Sequence, residues 1–304
     1  MFRISRRNKL LLLKFLSLFS VVRGYNILII ILAQYLASIF ILSPDNLSMR
    51  EVVLDLNLFL IVLSTSFVIA GGYIINSFYD TAKDLINRPN KTKLDHMVSQ
   101  KKILTLYFVL NFISIIVASY VSFFAVLFFS AYIFGIWFYS HKLKKVLFLG
   151  NLTSASLALT PFFAVFIYYR NFEKVIFVHA LFLGLIIIMR ELIKDLENIR
   201  GDIALGYNTF PVIYGERFTK ALITLFVGIT VIPAFLLINK FDVGLMNYYF
   251  YLSTILLLVF LFWLWKSNEK LHYLLLHNIL KLIIVLGVFS ILLIDTDVVI
   301  NRIL

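Results

Sequence analysis

Nine stretches of this chain are each apolar for long enough to cross a bilayer, at about 25–42, 57–76, 103–120, 121–139, 149–169, 175–193, 218–238, 246–265 and 274–294. A hydrocarbon core of about 30 Å takes roughly 20 apolar residues in helical form, since a helix rises about 1.5 Å per residue. Lipid offers the backbone no hydrogen bonds, so only helices and closed barrels can span it. A barrel would show short alternating segments instead of these unbroken apolar runs. The expected fold is an all-α, polytopic membrane bundle of about nine transmembrane helices. Its third and fourth spans run together through Tyr120-Val121-Ser122, where a tight turn has to fall. Composition agrees: 62% of the 304 residues are hydrophobic, 14% are charged and the mean hydropathy is +0.96, which leaves too little polar surface to cover a water-soluble globule. The same figures exclude a disordered chain, a collagen or a soluble coiled coil. With no Cys there is no disulfide framework, thiolate nucleophile or Cys-ligated metal.

Charge sets the expected orientation. Twenty-two of the 28 Lys and Arg residues fall in the N-terminal tail and in the segments after spans 2, 4, 6 and 8. The tail begins with Arg3, Arg6 and Arg7; the segment after span 2 holds Lys83, Arg88 and Lys91; the one after span 4 holds Lys142, Lys144 and Lys145. Five, Arg50, Arg170, Lys174, Lys240 and Arg302, fall on the other side, and Lys281 lies within span 9. An excess of basic residues marks the cytoplasmic face, so the bundle is expected N-in and C-out in the cytoplasmic membrane, touching anionic lipid on its basic side. Residues 1–24 begin like a signal peptide, but Lys14 interrupts Leu10–Val22 and no small-residue cleavage site follows. They are expected to form an amphipathic helix on the cytoplasmic surface, ahead of one transmembrane domain over 25–304.

The acids are few and concentrated. Eight of the 16 Asp and Glu residues fall in the two segments after spans 2 and 6. In the first, Asn76, Asp80, Asp84 and Asn87 share a helical face about 80° wide. In the second, Glu191, Asp195, Asn198 and Asp202 share a face about 60° wide, with Glu197 expected to point nearly the opposite way. Like charges stacked at i,i+4 destabilise a helix, and the membrane end of a span adds a desolvation cost. A cation or a set of basic partners must offset this. Oxygen ligands without Cys or clustered His select Mg²⁺ or Mn²⁺, and Mg²⁺ is usually held by one or two carboxylates together with a substrate's phosphate oxygens. Two such faces opposing each other would make a diphosphate site. The bland alternative is a set of solvated charges pairing with Lys83, Arg88, Lys194 and Arg200. The recurrence also hints that spans 1–4 and 5–8 are related halves, with span 9 added.

These residues resemble the two aspartate-rich motifs of the UbiA superfamily of intramembrane prenyltransferases. Asn76, Asp80 and Asp84 running into Asn87-Arg88-Pro89 is similar to the first motif. Arg190-Glu191, Lys194-Asp195 and Gly201-Asp202, followed by Gly206, Thr209, Pro211 and Gly215, is similar to the second. Tyr139-Ser140, Leu143-Lys144 and Gly150-Asn151 are similar to the segment between spans 4 and 5. Asn198 stands where many members have Asp. The resemblance implies a Mg²⁺-dependent enzyme that moves a prenyl group from an isoprenyl diphosphate to a lipophilic acceptor. It implies metal ligation by Asn76, Asp80 and Asp84 on one side and by Asp195, Asn198 and Asp202 on the other. Arg88, Lys144 and Lys194 are the expected diphosphate contacts. The overall likeness, with no motif for haem, favours the branch resembling geranylgeranylglyceryl phosphate geranylgeranyltransferases, and a quinone or other aromatic precursor is the alternative acceptor.

The developing allylic cation would need an apolar chamber with aromatic faces, for which Tyr73, Tyr79, Tyr132, Trp137 and Tyr139 are candidates beside a packing role. Gly71-Gly72, Gly135 and Ser154-Ala155-Ser156 permit close helix approach, and Gly71-Gly72 could instead loosen span 2. Pro161 and Pro233 are expected to kink their helices. His96, His141, His179, His272 and His277 lack partners at ligand spacing and are expected to be structural or surface groups. An ion-coupled transporter, the alternative from another class, would carry its ionisable groups near the midplane, where only Lys281 lies.

Overall fold

In the computed structural model, residues 6–44, 46–95 and 97–294 are described. Arg3, His96 and Arg302 lie outside them. Among the described residues the regular structure is entirely helical. The helices are α1 (Arg6–Val21), α2 (Gly24–Ala37), α3 (Met49–Val53), α4 (Leu56–Asn87), α5 (Pro89–Asp95), α6 (Gln100–Ser119), α7 (Phe123–His141), α8 (Leu149–Tyr169), α9 (Lys174–Ala204), α10 (Phe210–Ile213), α11 (Gly215–Asn239), α12 (Asn247–Lys266) and α13 (Lys270–Ser290). Nine of the described helices are long and apolar enough to cross a membrane, the count the hydropathy predicts.

The expected turn falls at Tyr120–Ser122. There the Ser122 hydroxyl accepts the Ala125 amide at 3.0 Å, satisfying one of the orphan donors at the start of α7. Ser122→Ala should cost about 1 kcal/mol of stability in thermal unfolding of the reconstituted protein, whereas Ser119→Ala, whose hydroxyl bonds within its own helix, should cost less.

Two helices exceed what a bilayer needs. α4 has 32 residues and α9 has 31, so each is roughly 46–48 Å long at about 1.5 Å per residue. The apolar runs end near residues 76 and 193, yet the backbone stays helical to Asn87 and Ala204. The acid-bearing segments are therefore extensions of spans, not loops. These two are also the most enclosed: 61% of the apolar window of each is buried, against 17–33% for the other seven.

The chain divides into two compact units. The first holds the residues up to Ile31 together with Leu60–Lys142. Its core sets Val21 against Ile74, Ile75, Ile103 and Tyr107. Ser64 and Ser114 clasp α4 to α6, each hydroxyl donating to the other's carbonyl at 3.3 and 3.0 Å. A Cβ on Gly71 would stand 3.0 Å from Asn111 Oδ1, and one on Gly72 3.0 Å from Ile136, so this pair serves close helix approach. The helix expected near the N-terminus is present as α1. Its buried Ser17 donates to the Asp95 carbonyl at 3.2 Å, tying it to α5.

The second unit holds Leu32–Phe59 and the residues from Leu143 onward. α9 is packed by α8, α10, α11 and α13. Met189, Leu192, Ile193, Phe250, Phe260 and Leu280 fill the core at 0–1% exposure. Pro161 and Pro233 both lie inside helices and are buried, and the Pro161 carbonyl accepts Gln34 Nε2 at 2.8 Å.

Candidate active site

In the first unit the extension of α4 presents Asn76, Asp80 and Asp84 half-buried, Asn87 buried at 7% exposure, and Arg88 half-buried at the helix end. Arg88 is where α4 stops: its amide donates to the Asp84 carbonyl at 2.7 Å, and Pro89, with no amide proton to lose, opens α5. The aromatics around this extension are engaged with named groups. Tyr73 takes the Asn26 amide at 3.2 Å on its hydroxyl, and the Arg23 guanidinium lies 5.0 Å from its ring. Tyr132 is buried at 6% exposure. His141, expected to be a structural or surface group, is exposed, stacks on Trp137 with centroids 5.4 Å apart and planes 5° apart, and meets the Tyr79 ring at 5.3 Å. Trp137 and His141 are one turn apart on α7, and Tyr79 reaches the pair from α4.

In the second unit α9 carries the other face. Glu191 is 7% exposed and neutralised by its own helix: Lys194 Nζ donates to Oε2 at 2.9 Å and Arg190 Nη1 lies 3.5 Å from Oε1. An ammonium has three protons, so Lys194 keeps donors for a further oxygen. Asp195 is half-buried, and its Oδ2 accepts Asn151 Nδ2 at 2.8 Å. Asn198, at 5% exposure, donates its amide nitrogen to the Lys194 carbonyl at 2.7 Å, so the end directed away from the backbone is the ligand-competent carbonyl oxygen. Asp202 is fully buried, with Thr209 Oγ1 at 3.5 Å from its Oδ2 and the Tyr207 amide on its carbonyl at 2.9 Å. Gly206 and Gly215 bracket this return at φ +66° and +82°, backbone that a side chain would strain.

Glu197, expected to point nearly opposite to the other acids, is 4% exposed, so its side of α9 is out of water as well. Lys144 stands half-buried on the turn Leu143–Lys145 that precedes α8. Of the other histidines, His179 bonds the Val175 carbonyl at 2.9 Å and packs edge-on against Phe250, a structural role as expected. Within neither unit do three or more His, Asp or Glu side chains gather as a preformed metal cage, among the described residues.

A long, helical membrane chain with acid–amide faces on its two most enclosed spans has the outline of an intramembrane transferase. The sequence profile of the UbiA prenyltransferase family matches residues 31–273, and the chain belongs to that family. It is 32% identical over 190 residues to digeranylgeranylglyceryl phosphate synthase of Pyrococcus horikoshii, a match covering 62% of this chain and 67% of that one. The enzyme of the same name from Methanobrevibacter smithii is 26% identical over 255 residues, 80% of this chain and 84% of the relative. Against Pyrococcus furiosus the match covers 63% of the relative, so the chain spans about two thirds of the length of the Pyrococcus enzymes. In fold it is similar to a solved digeranylgeranylglyceryl phosphate synthase, with TM-score 0.67, 21% identity, and coverage of 91% of this chain and 97% of that one. It is also similar to a UbiA homologue from Archaeoglobus fulgidus bound to GPP and Mg²⁺, with TM-score 0.66, 14% identity, and coverage of 90% and 99%.

Proposed function

We propose that this prenyltransferase moves an isoprenyl group from its diphosphate to the hydroxyl of a glyceryl phosphate lipid, with Mg²⁺, at the cytoplasmic side of the membrane. The observation that carries the reading is the pair of acid–amide faces on the extensions of α4 and α9: Asn76, Asp80 and Asp84, and Asp195, Asn198 and Asp202. Their donors are carboxylate and amide oxygens in a chain without Cys, a set that fits a hard cation such as Mg²⁺. The acceptor rests on the name shared by the relatives from Pyrococcus and Methanobrevibacter. The orientation rests on the 22 basic residues gathered on one side.

In the reaction the allylic C–O bond breaks with its electron pair leaving on the diphosphate, the acceptor oxygen bonds to the freed carbon, and the hydroxyl proton is released. Bound Mg²⁺ would supply charge neutralisation for the departing diphosphate. Asp80 and Asp84 in the first unit, and Asp195 and Asp202 in the second, would each offer carboxylate oxygens to Mg²⁺. Arg88, Lys144 and Lys194 add hydrogen bonds to phosphate oxygens that strengthen as charge develops there. Apolar walls keep water from the allylic cation.

The test is incorporation of labelled geranylgeranyl diphosphate by the purified, reconstituted protein, offered a glyceryl phosphate lipid and, separately, an aromatic quinone precursor. Transfer to the glyceryl phosphate lipid that stops with a chelator and resumes with Mg²⁺ is expected. Transfer only to the aromatic acceptor would replace the acceptor assignment. No Mg²⁺-dependent transfer to any acceptor would overturn the reading.

A further inference from the structure

We infer that Asn151 is a positioning residue for the second carboxylate face: its amide fixes the rotation of the Asp195 carboxylate and couples that acid to the turn carrying Lys144. This rests on the metal-holding role proposed for Asp195. Three observations within the second unit carry it. Asn151 Nδ2 donates to Asp195 Oδ2 at 2.8 Å, joining the first turn of α8 to the middle of the acid-bearing stretch of α9. The backbone just before Asn151 is shaped to place it: Phe148 sits at φ +63°, in the left-handed region a side chain rarely adopts, and Gly150 is buried so closely that a Cβ would stand 3.2 Å from the Leu143 and Lys144 carbonyls. The same turn is pinned from its far side, where the Asn208 amide donates to the Lys145 carbonyl at 3.0 Å and Lys145 Nζ lies 5.2 Å from the Tyr207 ring.

A primary amide suits this task. It is a neutral donor, so it orients one carboxylate oxygen without cancelling the charge a cation needs. By holding Oδ2 it also sets the direction of Oδ1. Partners of this kind behind a ligand are commonly worth 10–100-fold in metal affinity or activity. The strained turn makes the coupling two-way, since any shift of the Lys144 turn moves Asn151 with it and turns the carboxylate.

Binding is read directly, from the free Mn²⁺ signal in electron paramagnetic resonance, with full-length protein in nanodiscs and inorganic pyrophosphate present. Asn151→Ala should weaken Mn²⁺ binding about 10–100-fold, with prenyl-transfer turnover largely recovered at raised Mg²⁺. Asn151→Leu keeps the volume but has no donor, and should show the same loss; it also decides the matter if the alanine variant fails to fold. Parental Mn²⁺ binding in Asn151→Leu would overturn the inference, since packing alone would then explain the residue. Asp195→Ala separates the two levels. If it loses Mn²⁺ while the Asn151 variants do not, only the positioning role falls; if it too binds normally, the metal role of the carboxylate falls first.

Discussion

Asp80→Ala and Asp195→Ala should each lower prenyl-transfer turnover by about two orders of magnitude or more, with the protein still folded. Removing one preorganised group that stabilises developing charge in a water-excluded site commonly costs about 10²–10³-fold in rate. The two acids sit on separate helices, α4 and α9, so neither can take over the other's position. Both are half-buried, so truncation opens no large apolar cavity and the fold should tolerate it. Single-turnover transfer with labelled donor measures the effect, and unchanged thermal unfolding shows that the loss is chemical. A variant at either position that retained more than about a tenth of parental turnover would remove that acid from the site.

Glu197→Ala should act differently, on stability before rate. A carboxylate at 4% exposure is out of water, where a charge persists only beside partners, and Glu197 has an interaction partner there. Truncation removes that interaction and should cost about 1–3 kcal/mol. Glu197→Gln, which keeps the shape and one acceptor oxygen, should lose less. Thermal unfolding of both variants against parent gives the comparison, and an alanine variant as stable as parent would contradict the buried placement.

These two residues also show what a single sequence makes legible. Asp80 and Asp195 stand out as candidates because helical spacing places them with like groups, and a run of acids at the end of an apolar stretch is conspicuous in a chain with only 16 acids. The nine spans and the turn at Tyr120–Ser122 were visible for an equally direct reason: bilayer thickness fixes how long an apolar run must be. Hydropathy marks where lipid ends, however, and not where a helix does. The apolar runs stop near Asn76 and Ile193, and it was the spacing of the acids, not hydropathy, that pointed to helix over the 11 residues beyond each. The burial of Glu197 was not legible, because it depends on the helices that enclose α9. The Asn151–Asp195 bond was invisible on the same ground, since it depends on which helices pack together and at what height.

The extensions of α4 and α9 have one more consequence. Asp84 lies in the final turn of α4 and Asp202 in the final turn of α9, where the aligned peptide dipoles give a helix a partial negative charge of roughly half an electron. Each acid thus stands at a negative pole that adds to its own charge. At either pole a divalent cation is attracted and a bare anion repelled, so a phosphate-bearing ligand approaching either acid face is expected to arrive together with its counterion.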